Sequence, residues 1–297
     1  MAIFLDFLAA VLVIVLAISV YASFQTTSVF ELAVPYTPAD FDLPYKEVHF
    51  KSSDGLTLIG WFIPASKPSD TTIIIQHGVG SNHGDTLLNT VCLSKEGGWN
   101  LFYYNFRGHA GSEGKVTSLG VLELRDLAGA LTFLRETKPQ ETRHLGIYGH
   151  SLGGAVAILG AAEHPELEAV AAESPFASVR GTIAHFAGVF YGLPVFPFVW
   201  LSMQITALRL RVPYGNANPV EQIGKIAPRP IFIIYGDRDK RMPMSDFNAL
   251  WAAAGDPKES WIAKGADHGD PWLLYRDEYE SRLVGFFKKA FERGKNK

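Results

Sequence analysis

A single cysteine, Cys92, is all the thiol chemistry available to this chain of 297 residues. It rules out an intrachain disulfide and a thiolate zinc site, so cysteine usage leaves the redox compartment open. Histidines and acids nowhere fall at H-E-x-x-H spacing, and no metal is implied. Basic runs are missing too. With 27 Lys and Arg against 30 Asp and Glu the net charge is −3, which argues against nucleic acid as a partner. There is no internal repeat and no low-complexity tract. The most local absence lies at the start, where no Lys or Arg occurs before Lys46.

That absence frames the one long hydrophobic run. Phe7 to Phe24 carries no charge, and with Ile3 to Leu5 it reaches the ~20 residues a helix needs to cross a hydrocarbon core. The expectation is a membrane anchor over residues 1–24. The alternative is a signal peptide cleaved near Val20-Tyr21-Ala22, releasing a secreted form. Against it, the segment before the run has Asp6 and no basic residue, and the run exceeds the usual ~7–15 residues. The positive-inside rule has almost nothing to count, so membrane sidedness stays open. Gln25 to Pro44 contains three prolines and no helical period, which predicts a tether over 25–45.

From Lys46 onward the pattern changes. Lys46 to Lys51 and Leu56 to Ile63 read as an edge hairpin turned at Ser52-Ser53-Asp54-Gly55. Short apolar runs then alternate with helical segments. The strands are Thr72 to Gln76, Leu101 to Asn105, Leu145 to Gly149, Ala169 to Ala172, Ile231 to Tyr235 and Ser260 to Ala263. The helices include Leu119 to Thr137, Met244 to Ala254 and Tyr275 to Lys289. Such alternation predicts an α/β fold, a mainly parallel twisted sheet with helices on both faces. With 47% apolar residues the chain has enough to bury such a core.

Gly149-His150-Ser151-Leu152-Gly153 joins a strand to the small-residue helix that begins at Gly154. Glycines on both sides of a serine allow the sharp turn of a nucleophile elbow, which leaves the hydroxyl exposed at the sheet's edge. A serine hydroxyl needs a base, and the base needs an orienting group. Downstream, the strand ending at Tyr235 runs into Gly236-Asp237-Arg238-Asp239, so Asp237 and Asp239 are both eligible acids. The strand ending at Ala263 runs into Lys264-Gly265-Ala266-Asp267-His268, and His268 is the candidate base. Three loops at the carboxyl ends of parallel strands can converge although far apart in sequence. His144, His164 and His185 lack that setting, while His150 sits in the elbow's own turn and is expected to pack beside it. Two phosphate-binding patterns fail on spacing: in Gly78 to Gly84 the third glycine of a dinucleotide fingerprint is one residue late, and in Gly108 to Val116 the first glycine of a P-loop is one residue early.

These segments resemble the α/β-hydrolase superfamily from about Lys46 to the C-terminus. His77-Gly78-Val79-Gly80 is similar to its oxyanion loop. Tyr104 to Ser112 is similar to its Asp-Tyr-Arg-Gly-x-Gly-x-Ser segment, with Asn105 in place of the usual Asp. The resemblance is strongest to a serine-hydrolase branch containing monoglyceride-lipase-like, serine-aminopeptidase-like and membrane-anchored ABHD-type proteins. It implies Ser151, Asp239 and His268 as a catalytic triad, since the family acid stands three residues after the glycine. It also implies the backbone N–H groups of Val79 and Leu152 as the oxyanion hole, and no cofactor. His77 and Arg107 are expected to be structural, shaping the oxyanion loop and tying loops together. Val179 to Pro213 occupies the position of the family's cap and is rich in aromatics: Phe186, Phe190, Tyr191, Phe196, Phe198 and Trp200. Such a cap suggests a lipophilic acyl substrate or contact with a bilayer, or else aromatics that merely pack the cap on the core. The implied function is cleavage of a carboxylic ester of lipid-like type. The alternatives are an aminopeptidase-like amidase and a non-catalytic member that binds a hydrophobic ligand.

Overall fold

In the computed structural model, which describes residues 1–30, 32–214 and 217–295, the expected alternation forms one eight-stranded sheet. An N-terminal helix, α1 (Ala2–Gln25), precedes it. The strands are β1 (Lys46–Lys51), β2 (Thr57–Ile63), β3 (Thr71–Gln76), β4 (Asn100–Tyr104), β5 (His144–His150), β6 (Leu167–Glu173), β7 (Ile231–Gly236) and β8 (Lys258–Ala263), in the order β1-β2-β4-β3-β5-β6-β7-β8. The hairpin β1–β2 is antiparallel and joins β4 antiparallel, and every later pairing is parallel.

The helices on its faces are the short α2 (Leu87–Thr90) and α3 (Cys92–Lys95), then α4 (Glu123–Thr137) and α5 (Leu152–Glu163). Next come α6 (Val179–Tyr191) and α7 (Trp200–Leu210), then α8 (Pro219–Gln222), α9 (Met244–Ala253), α10 (Asp270–Leu274) and α11 (Arg276–Lys295). Strands β3 and β7 are buried along their whole length because both faces are covered. Successive residues serve opposite cores: Ile74, Ile147, Ile233 and Tyr235 pack with α4, α5 and α9, whereas Ile73, Ile75, Phe232 and Ile234 pack with α2, α3 and α11. This is the α/β-hydrolase architecture that the alternation and motifs predict.

The helix expected from Leu119 starts four residues later. Leu119 (φ 56°) and Gly120 (φ 117°) are left-handed, so the chain cannot be helical there. The buried Glu123 carboxylate instead collects the Ser118 and Gly120 N–H groups and the Thr117 and Ser118 hydroxyls, anchoring the turn. Along the expected tether, Thr37 and Asp40 form a capping box on a 3₁₀ turn at Pro38–Phe41, the Asn82 amide donates to the Ala33 carbonyl, and Ser28 pairs with Val116. Glu31, within that stretch, lies outside the described residues.

Arg107, expected to tie loops together, does so from a buried position. Its guanidinium donates to Asp126 on α4 at 2.7 Å and, through two nitrogens, to Asp54 in the β1–β2 turn at 2.8 and 3.0 Å. Burial opposes the guanidinium charge, but the hydrogen bonds from two carboxylates outweigh it and raise its pKa. Arg107→Met would leave the fully buried Asp126 without its counterion, and stability in urea titrations should fall by about 3–5 kcal/mol. The Arg107→Met, Asp126→Leu double variant should regain part of that loss, because no unpaired buried charge remains.

Candidate active site

The sheet order places a switch point between β3 and β5. The chain leaves β3 for β4 on one side and leaves β5 for β6 on the other, so the loops after β3 and β5 diverge and leave a crevice at their carboxyl ends. The loop after β3 begins His77-Gly78-Val79, and the loop after β5 is the elbow. Ser151 has φ 54° and ψ −116°, a conformation that a non-glycine residue holds only where its surroundings enforce it. Its N–H donates to the Glu173 carbonyl at 2.8 Å, and its carbonyl accepts the Ala155 N–H of α5 at 3.0 Å. A Cβ at Gly149 would lie 2.1 Å from the Gly153 carbonyl oxygen, and one at Gly153 would lie 2.4 Å from that of Gln76. Only glycine lets these backbones approach so closely.

Asp239, just past β7, and His268, just past β8, meet directly. His268 Nδ1–H donates to Asp239 Oδ2 at 2.7 Å, with both side chains almost wholly buried. The other oxygen of Asp239 accepts the N–H groups of Arg241 and Met242 at 2.9 and 2.8 Å. Burial opposes its ionisation, but the His268 hydrogen bond leads the contacts that outweigh it, and the carboxyl stays below the usual carboxylate range. The acid left open between two aspartates is thereby paired. Asp237 instead accepts the Gly265 N–H and organises the β8 loop.

His150 packs against the His268 ring, with centroids 4.9 Å apart. Burial pushes its pKa down to about 3, so it is a neutral spacer between the elbow and His268. Ser151 Oγ makes no hydrogen bond to His268. Catalytic contacts of this kind are commonly loose before substrate arrives. On the other side, Gly78 abuts the elbow: a Cβ there would lie 3.2 Å from Ser151 Cβ. Val79 follows it and is exposed, while Leu152 is buried. Neither N–H donates to a side chain or loop carbonyl among the described residues. His77 fixes the oxyanion loop, its Nδ1–H donating to the Gly78 carbonyl and its Nε2 accepting the Phe106 N–H. Burial holds it neutral, which that pair of roles requires. Asn105 donates to the Ala110 carbonyl and accepts the His83 N–H, so an amide does here what a carboxylate cannot.

Sequence reasoning missed Glu173, at the end of β6. It is fully buried and its carboxyl accepts the hydroxyls of Tyr148 and Tyr279, each at 2.6 Å, while its carbonyl holds Ser151. Burial raises its pKa. The signal was a lone acid closing the apolar run Ala169 to Ala172.

Residues 34–272 match the X-Pro dipeptidyl-peptidase (S15 family) description. The chain belongs to this family of α/β-hydrolases. YqkD of Bacillus subtilis is 30% identical over 223 residues, 74% of this chain and 72% of that one. The α/β-hydrolase domain-containing protein WAV2 of Arabidopsis thaliana is 27% identical, over 86% and 82% of the two chains. Among solved structures, the Pyrococcus furiosus esterase Pf2001 superimposes with a TM-score of 0.75 at 26% identity, covering 89% of this chain and 98% of that one. The family and these neighbours make the chain a hydrolase of the α/β fold.

The paired acid gives a direct test. Asp239→Asn should slow inactivation by a fluorophosphonate by a factor on the order of 10⁴, the scale of losing the orienting carboxylate of a serine triad. Asp237→Asn should stay within about tenfold of the parent, since it removes only a loop contact.

Proposed function

We propose that this protein is a membrane-anchored serine hydrolase that cleaves a carboxylic ester through an acyl-enzyme intermediate. The observation that carries the reading is the strained elbow at Ser151 beside the buried Asp239–His268 pair. His268 takes the Ser151 proton as Oγ attacks the carbonyl carbon, and Asp239 keeps Nδ1 protonated so that Nε2 faces the serine. The oxyanion forms against the N–H groups of Val79 and Leu152. His268 then returns the proton to the departing alcohol. Water, deprotonated by the same imidazole, hydrolyses the acyl-serine and frees the acid and Ser151. No cofactor enters this sequence.

The esterase reading draws support from the Pyrococcus furiosus neighbour, and the uncharged stretch of the cap from Gly181 to Leu208 favours a lipophilic acyl group. The S15 description favours an amide instead, and this is the second reading. Ser151→Ala should abolish hydrolysis of p-nitrophenyl esters while leaving the circular dichroism spectrum unchanged, a loss of several orders of magnitude in kcat/KM. Undiminished ester turnover in that variant would overturn the triad, and faster parent turnover of Ala-Pro-p-nitroanilide than of any ester would select the peptidase.

Anchoring through α1 is supported by its own contacts. The Arg209 guanidinium donates to the Ser23 carbonyl at 2.8 Å, so cleavage after Ala22 would create a new ammonium group beside a fixed cation. The protein should therefore remain in the membrane pellet after a carbonate wash with its N-terminus intact. A soluble form beginning near Ser23 would establish a signal peptide.

A further inference from the structure

Of the three expectations for the cap aromatics, lining an acyl pocket, meeting a bilayer or packing on the core, their exposure favours the second. Phe186 is partly buried against the core, but Phe190, Tyr191, Phe196 and Trp200 face outward, with Phe196 75% exposed. Leu208, on α7, is 82% exposed. From Gly181 to Leu208 there are 28 consecutive residues without Asp, Glu, Lys or Arg, in a chain that is 19% charged. An aqueous surface of that length would ordinarily carry about five charges.

Helix α7 and the turn before it, Val195 to Val199, pack along the C-terminal part of α1. The seam consists of small residues whose hydroxyls are satisfied. Thr206 donates to Ser23 Oγ at 2.8 Å and Ser202 donates to the Val199 carbonyl, while Ser19 donates to the Val15 carbonyl. Arg209 reaches Ser23 and Thr27 and lies over the Phe24 ring at 4.0 Å. Thr206 opposite Ser23 and Arg209 opposite Thr27 make the two helices run in the same direction. Trp200 therefore stands about 9 Å nearer the α1 N-terminus than the Thr206–Ser23 contact.

Length now decides the matter. Only Met1 to Ile14 is uncovered all round, about 21 Å of helix at 1.5 Å per residue. A hydrocarbon core is ~30 Å thick. If α1 crosses the bilayer, several of the residues that carry the cap must lie inside it. Resting on the anchor reading, we propose that the cap from Val195 through Leu208 is itself immersed in the hydrocarbon of the leaflet nearest the hydrolase body, inserted as one unit with α1.

The backbone tolerates this. The N–H groups of Gly192 and Leu193 are bonded to the carbonyls of Gly188 and Ala187, and Pro194 and Pro197 have none to satisfy. Gln204 is the one exposed polar side chain between Val195 and Leu208. Arg180, Arg209 and Arg211 bracket the uncharged stretch and can reach the phosphate level. His185 on α6 donates to the carbonyl of Lys240, next to Asp239, so the same cap adjoins the acid loop. A lipid acyl chain would reach the crevice from within the leaflet.

The test reconstitutes the full chain in vesicles of phosphatidylcholine and phosphatidylglycerol. A polarity-sensitive nitrobenzoxadiazole label is placed in separate variants at Phe196→Cys, Leu208→Cys, Leu12→Cys on uncovered α1, and Lys67→Cys on the body. Cys92 is buried, and burial raises its thiol pKa, which keeps it from reacting. Labels at 196 and 208 should show the blue-shifted emission and loss of iodide quenching seen at 12, with quenching by doxyl-labelled lipid, whereas 67 stays aqueous. Trp200 supplies a label-free check: brominated lipid should quench the parent more than Trp200→Phe. Aqueous signals at 196 and 208 with a lipid signal at 12 would overturn the immersed cap and leave the anchor standing. An aqueous signal at 12 as well would overturn both.

Discussion

Three backbones meet at the elbow closer than any side chain would allow, and the rest of the site depends on that approach. The end of β3, the end of β5 and the first turn of α5 touch through Gly149 and Gly153, with no room for a Cβ at either. This contact fixes the left-handed turn at Ser151, seats its N–H on β6 through the Glu173 carbonyl, and sets the oxyanion loop against it. The strain at a single residue, typically 1–3 kcal/mol, is offset by the burial of the strands on either side. A sheet that was less rigid could not hold it.

Around the elbow, charge is arranged by burial. His77 and His150 are held neutral by desolvation and act as shaped hydrogen-bonding blocks, whereas Asp239 keeps its charge because three donors converge on it. The result is a buried carboxylate held directly against one imidazole. Glu173, whose pKa is raised by burial, lies behind them with two tyrosine hydroxyls on its carboxyl, so the wall next to this pair is polar and its hydrogen bonds are internally satisfied.

Much of this was legible in the sequence because the signals were local. A buried parallel strand announces itself as an apolar run, and the turn residues after β3, β5, β7 and β8 placed His77, Ser151, Asp239 and His268 at one edge. Local signals also misled. Leu119 and Gly120 continue a helical pattern, but the Glu123 carboxylate gathers donors from the preceding loop and delays the start of α4. The cap aromatics left pocket lining, bilayer contact and core packing open because hydrophobicity gives no direction; only packing shows Phe196 and Trp200 turned outward. The seam between α1 and α7 was illegible, since the four-residue spacing of Ser19 with Ser23 and of Ser202 with Thr206 marks a face on each helix without saying which other helix meets it.

That separation has a consequence for biogenesis. Ser23 and Thr206 are 183 positions apart. At 5–20 residues per second, the ribosome makes the partner roughly 10–40 s after the helix that receives it. During that interval Ser19, Thr26 and Thr27 bond to carbonyls one turn back in the same helix, whereas, among the described residues, the Ser23 hydroxyl finds its partner only in Thr206. The seam therefore closes late, and cap docking is a long-range step in the assembly of this chain.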